Sequence, residues 1–146
     1  MMDFLFTLHS HNRWLVFGIG IVAIIKFFLV WQEHMEFGRV TRIIYAIFSG
    51  FLGIQVIIGL ILLFSMGLER WRIEHGVTML LAFALAHFPF KWKALGGELR
   101  AKRSMFVIIG VLAIVIFGIL RLPQGFSSTA KARQQQNMPA PVTVPM

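Results

Sequence analysis

Cysteine is absent from the 146 residues. That excludes disulfides, thiolate zinc sites, iron–sulfur ligation and covalent c-type haem attachment together. Five histidines and eight methionines are the soft or borderline metal ligands that remain. Charge is the second scarcity. Charged residues make up 14% of the chain and hydrophobic ones 58%, whereas a soluble domain carries roughly 25% charged and about 45–50% apolar residues. A soluble globular protein is excluded on that balance, and so is disorder as the main state, which needs low hydrophobicity. No paired-carboxylate pattern, glycine-rich phosphate loop or serine triad is present to support acid–base, phosphoryl or acyl-transfer chemistry. The formal charge is +8, but the cations are sparse and interrupted by long apolar runs, so nucleic acid is not an expected partner. On a membrane protein the same excess reads as basic loops facing anionic lipid.

Four apolar stretches organise the chain, and a bilayer core asks for roughly 20 apolar residues per helix. The expected fold is all-α: an integral membrane four-helix up-down-up-down bundle over residues 1–122. The predicted helices cover about 14–31, 43–66, 72–92 and 105–122, and 123–146 is an irregular, extramembrane polar tail. The start has no basic leader region, carries Asp3 and is followed by no small-residue cleavage site, so the first helix is expected to be retained. Short connections make sequential helices antiparallel. Arg39, Arg42, Lys91, Lys93, Arg100, Lys102 and Arg103 fall on the side of the first and third connections. Arg13, Arg70, Arg72 and Arg121 fall near the membrane on the other. The excess predicts cytoplasmic basic loops with both termini outside. Lys26, inside the first helix, is expected to snorkel to the basic side.

Polar side chains in membrane helices each need a reason. His9, His11 and His75 fall at the outer side of this topology, and His34 and His87 at the inner side. His75 and His87 are twelve residues apart, about 18 Å along a helix and about 120° around it, so they cannot share one metal. Pairing the first helix with the third gives two feasible sites. His9 or His11 with His75 suits one haem near the outer face, and His34 with His87 suits a second near the inner face. The competing role for each is an interfacial polar anchor. Met79 lies one turn after His75 and is either packing or an axial or pocket-lining group. Gln55, mid-way along the second helix, is either interhelical glue or a contact to a quinone or haem edge. Arg13, Arg70 and Arg72 suit haem propionates or lipid headgroups equally. Glu74 is the carboxylate placed to orient His75 or to pair with arginine.

Leu8-His9-Ser10-His11-Asn12-Arg13-Trp14 resembles the L-H-S-x-x-R-W opening of small four-helix bacterial membrane proteins of the cytochrome b-like type. Glu74-His75 with Met79-Leu80 and then Ala86-His87 is similar to that family's third helix, E-H-x-x-x-M-L followed by A-H. Gln55 with Gly59-Leu60 is similar to its second, Q-x-x-x-G-L. The resemblance covers about residues 5–123, with Gly76 standing where the family often has proline and Leu122-Pro123 matching its closing motif in part. It implies that His9 and His75 are the histidines of one membrane face, that His87 occupies a less uniform position, and that His11 and His34 have no counterpart. The implied function is a membrane electron-transfer subunit of the bacterial inner membrane. It would bind b-type haem through His9 and His75 and exchange electrons with a quinol or a partner cytochrome. A cofactor-free accessory subunit of a larger respiratory or photosynthetic membrane complex is the alternative, with a histidine-ligated chlorophyll-type pigment as a further one.

Overall fold

A repeating three- and four-residue spacing of buried positions gives each helix its inward face. In a computed structural model, which describes residues 1–122, Asn12, Val16, Gly20, Ala23, Phe27 and Val30 form that stripe on the first helix. Thr41, Tyr45, Phe48, Leu52, Gln55 and Leu62 are buried on the second. Ala101, Ser104, Ile108, Val111, Val115 and Gly118 are buried on the fourth. The helices are α1 (Met2–Gln32), α2 (Arg39–Met66), α3 (Arg70–His87) and α4 (Gly97–Leu120), with a 3-10 turn at Phe88–Lys91. All four are long and apolar enough to cross a membrane. No strand occurs among the described residues. The expected all-α membrane bundle is therefore what the chain forms. The expected tail, 123–146, lies outside the described residues.

Four boundaries differ from expectation. Helix α1 begins at Met2 rather than near residue 14, so His9 and His11 lie within it and not before it. Helices α2 and α4 begin at Arg39 and Gly97 rather than near 43 and 105. In each case polar residues mark the edge of the apolar run, while the backbone keeps its i→i−4 hydrogen bonds past that edge. Helix α3 ends early, at His87. Pro89 has no amide hydrogen to donate to the carbonyl one turn back, Phe88 N–H turns to the Leu85 carbonyl, and the chain tightens into the 3-10 turn.

The helices form a ring in which α1 packs on α2 and α4, and α3 packs on the same two. The contacts run antiparallel between sequential neighbours. At one end, Asn12 and His9 of α1 meet Gln55 of α2, and His75 of α3 meets Gly118 of α4. At the other end, Tyr45 of α2 hydrogen-bonds the Ala86 carbonyl of α3, and His34 after α1 meets Glu98 of α4. Phe27, Phe48, Leu52 and Ile108 fill the middle and are fully buried. Ile21, Ile25, Phe64, Leu81, Phe106 and Phe117 point outward and remain exposed, as side chains facing lipid do. Two close approaches set the ends. Gly67 takes φ +98° between α2 and α3, a left-handed conformation that glycine adopts without strain. Gly97 lets α4 start against the α1–α2 connection, where an added Cβ would lie 2.7 Å from the Phe37 amide nitrogen.

Candidate functional site

One end of the bundle gathers polar side chains from three helices and a carbonyl from the fourth. Asn12, buried on α1, donates from Nδ2 to the Gln55 Oε1 at 2.8 Å and to the Phe51 carbonyl at 3.1 Å. That fixes the orientation of the Gln55 amide. Its Nε2 then donates to the His9 carbonyl at 3.0 Å and to His9 Nε2 at 3.1 Å. A ring nitrogen that accepts a hydrogen bond carries no proton, so the neutral His9 ring bears its proton on Nδ1. His9 Nδ1 is buried and has no hydrogen-bond partner among the described residues. Gly59, one turn after Gln55, makes room for this ring; a Cβ there would lie 3.1 Å from His9 Cε1.

His75 faces His9 from α3. The ring centroids are 6.4 Å apart and the planes are inclined at 77°. His75 Nδ1 donates to the Gly118 carbonyl at 3.1 Å, which leaves Nε2 as the ring's free lone pair. Met79 is buried one turn further along α3. Its terminal methyl packs on Gly118, where an added Cβ would approach to 2.6 Å. Met79 thus has a visible packing role, and Gln55 a visible interhelical one.

The spacing has chemical content. A first-row metal sits about 2 Å from an imidazole nitrogen, so two imidazoles on opposite sides of one metal place their ring centroids about 6 Å apart. The His9–His75 pair has that spacing. No group of three or more His, Cys, Asp or Glu side chains comes together among the described residues. His75 Nε2 is free and His9 Nε2 is engaged by Gln55, so the pair could give a metal at most two imidazole donors, the second only once Gln55 releases it.

The other expected site residues are placed differently. Arg13, one turn after His9, is half-buried with its guanidinium 5.4 Å from the Trp14 ring. Arg72 donates from Nη1 to the Met66 and Gly67 carbonyls and closes the C-terminus of α2. Arg70 pairs with Glu74 at 3.0 Å on the surface, so Glu74 serves an arginine and not an imidazole. His11 is exposed and bonds the Thr7 carbonyl of its own helix at 2.8 Å. The inner pair is not brought together. His34 is exposed and meets Glu98 at 2.9 Å. His87 is exposed, bonds the Phe83 carbonyl at 2.8 Å and packs against the Phe83 and Phe90 rings. Leu85 faces Gly110, which sets His87 near residue 108 of α4. That is about 15 Å along the axis from Glu98, where His34 sits. The expected second site at His34 and His87 is corrected accordingly.

Asn12, Gly59 and Gly118 belong to the site, although none was expected as a site residue and Gly59 entered only through the Q-x-x-x-G-L resemblance. Asn12 had a signal, since it follows His9 by three residues and shares its helical face. Gly118 contributes a backbone carbonyl, which no residue type announces. Comparison with protein-family models, with curated proteins and with solved structures finds no match.

Proposed function

We propose that this protein is a membrane electron-transfer subunit that holds one b-type haem between His9 and His75. The carrying observation is the facing pair of imidazoles at 6.4 Å, one of them already anchored through Nδ1 to a backbone carbonyl. Metal-ligating histidines characteristically donate their second ring nitrogen to a carbonyl or carboxylate, which fixes tautomer and ring orientation. His75 is arranged in that way, with Nε2 left to ligate. On His9, Nδ1 lacks a partner as the ring stands. Nε2 becomes available when Gln55 gives up one of its bonds and keeps those to the His9 carbonyl and Asn12. Arg13, one turn after His9 and half-buried, is the cation we assign to an anionic cofactor edge. When bound, the haem supplies one-electron redox chemistry whose potential follows from axial ligation and burial. The residues hold both rings in place, exclude water through the packed core and oppose an anionic edge with a guanidinium. The basic connections face the cytoplasm of a bacterial inner membrane, both termini lie outside, and a quinol, a cytochrome or a larger membrane complex is the exchange partner.

The test is the reduced-minus-oxidised absorption spectrum of the purified full chain, expressed with an adequate haem supply. A reduced b-type band is expected, and it is lost in His9→Ala and in His75→Ala but kept in His87→Ala. A colourless protein overturns the proposal, as does a spectrum unchanged in both His9→Ala and His75→Ala.

A further inference from the structure

A second feature lies on the outside of the bundle, away from the histidines. Between α1 and α2 runs an open cleft of about 390 Å³, lined by Trp14, Leu15, Gly18, Ile19 and Val22 on α1 and by Ile44 and Ile47 on α2. Clefts that hold small ligands begin at about this size. A Cβ built on Gly18 would meet nothing within 4 Å, so the protein leaves the middle of the cleft unfilled. Leu15, Ile19, Val22 and Lys26 follow at four-, three- and four-residue intervals and lie on one face of α1. The apolar stripe that lines the cleft therefore ends in a cation. Lys26 is half-buried, and it makes no ion pair or hydrogen bond among the described residues. A charge at membrane depth is costly unless it reaches an interface or meets an opposite charge.

The dimensions identify the occupant. From Lys26 to Gly18 is eight residues, about 12 Å of helix, within the roughly 15 Å depth of one leaflet of a bilayer core. Lys26 lies toward the end that carries Arg39, Arg42, Lys102 and Arg103. Cation and apolar cleft together match one molecule of one leaflet, with an anionic head and a hydrocarbon chain. We propose that the α1–α2 seam is an anionic phospholipid site on the basic side of the membrane. The phosphate is met by the Lys26 ammonium, and one acyl chain lies along the cleft past Gly18. The site is independent of the histidine pair.

Native mass spectrometry of the full chain tests this, after delipidation and titration with phosphatidylglycerol or phosphatidylcholine of matched chains. The expected result is one retained phosphatidylglycerol with about fivefold preference, the scale set by a single basic residue near anionic lipid. Lys26→Gln should bring the two lipids to parity. Gly18→Leu, which meets open space and so leaves the fold intact, should weaken retention of both, and Lys102→Gln should leave retention unchanged. Equal retention of both lipids by the unmodified chain overturns the proposal, and so does an undiminished preference in Lys26→Gln. Displacement of the bound lipid by millimolar inorganic phosphate would identify a free-anion site instead and refute the lipid assignment. A dimer that dissociates on Gly18→Leu would make a second copy the occupant, with the same consequence.

Discussion

Replacing Gln55 with leucine isolates the polar joint between α1 and α2. The side chain makes three interhelical hydrogen bonds: one accepted from Asn12 and two donated to His9, at the carbonyl and at Nε2. In a membrane such bonds average about 0.6 kcal/mol each and reach about 1.7 kcal/mol. Three of them set the expected loss at roughly 2 kcal/mol, with about 5 kcal/mol as the ceiling. Leucine is close to glutamine in volume, so little of the loss comes from a cavity. Asn12 retains the Phe51 carbonyl as a partner, whereas His9 loses its ring acceptor bond while Nδ1 is already unpartnered. The change should therefore fall mainly on the His9 side. A double-mutant cycle apportions it. Gln55→Leu, Asn12→Leu and the double variant, unfolded reversibly in mixed micelles and followed by tryptophan fluorescence, should give a coupling of about 0.6–1.7 kcal/mol for the Asn12–Gln55 bond. A coupling within about 0.3 kcal/mol of zero, or a single variant as stable as the parent within the same margin, refutes the reasoning.

Gly118→Ala places a methyl 2.6 Å from the Met79 methyl and 3.2 Å from Thr78 Cγ2. Overpacking of this kind costs about 1–3 kcal/mol, and the same unfolding assay should show Met79→Ala recovering part of it, because the neighbour that clashes is then gone. Tyr45→Phe removes the buried hydroxyl that donates to the Ala86 carbonyl at 2.6 Å. A loss of about 1 kcal/mol should appear as a lowered midpoint in thermal unfolding, and an unchanged midpoint would mean that the carbonyl finds another donor beside the 3-10 turn.

The helices were legible because their apolar runs are long enough to span a bilayer core, and the boundaries were not because composition and backbone stop at different places. Residues 9–13 read as a polar edge, yet Asn12 and Val16 continue the stripe that ends at Val30. A helix face can carry polar residues wherever a neighbouring helix answers them, and the answering residue, Gln55, lies 43 positions away. Pro89, by contrast, is a local signal, and the α3 terminus could have been set from it alone. The His9–His75 pairing was legible from depth, since antiparallel neighbours put both near one end. The exposure of His87 was not. Its flanks, Ala86 and Phe88, are apolar, and only the position of the buried Met79, Ala82 and Ala86 stripe on α3 shows that His87 faces away from the core.

The two site histidines differ in how far structure alone accounts for them. Gly118 is among the last residues of α4, and its carbonyl is one that a helix end leaves without an intrahelical donor. Leu122 N–H turns to the Ile119 carbonyl and Arg121 N–H to the Phe117 carbonyl, so His75 Nδ1 supplies the bond that Gly118 lacks. A structural role for His75 is complete without a ligand. The account is incomplete for His9. Its Nε2 accepts from the buried Gln55 amide, but its Nδ1 is buried with nothing to bond among the described residues. An unmet buried donor costs about 1–3 kcal/mol, and a side chain that accepted from Gln55 without adding a donor would avoid it. The functional weight of the pair therefore rests on His9. In the spectral test His75→Ala removes a helix cap along with a ligand, and His9→Ala removes the acceptor of one Gln55 hydrogen bond along with a ligand, so the His9 result is weighed against Gln55→Leu, which breaks the same bond and leaves the imidazole in place.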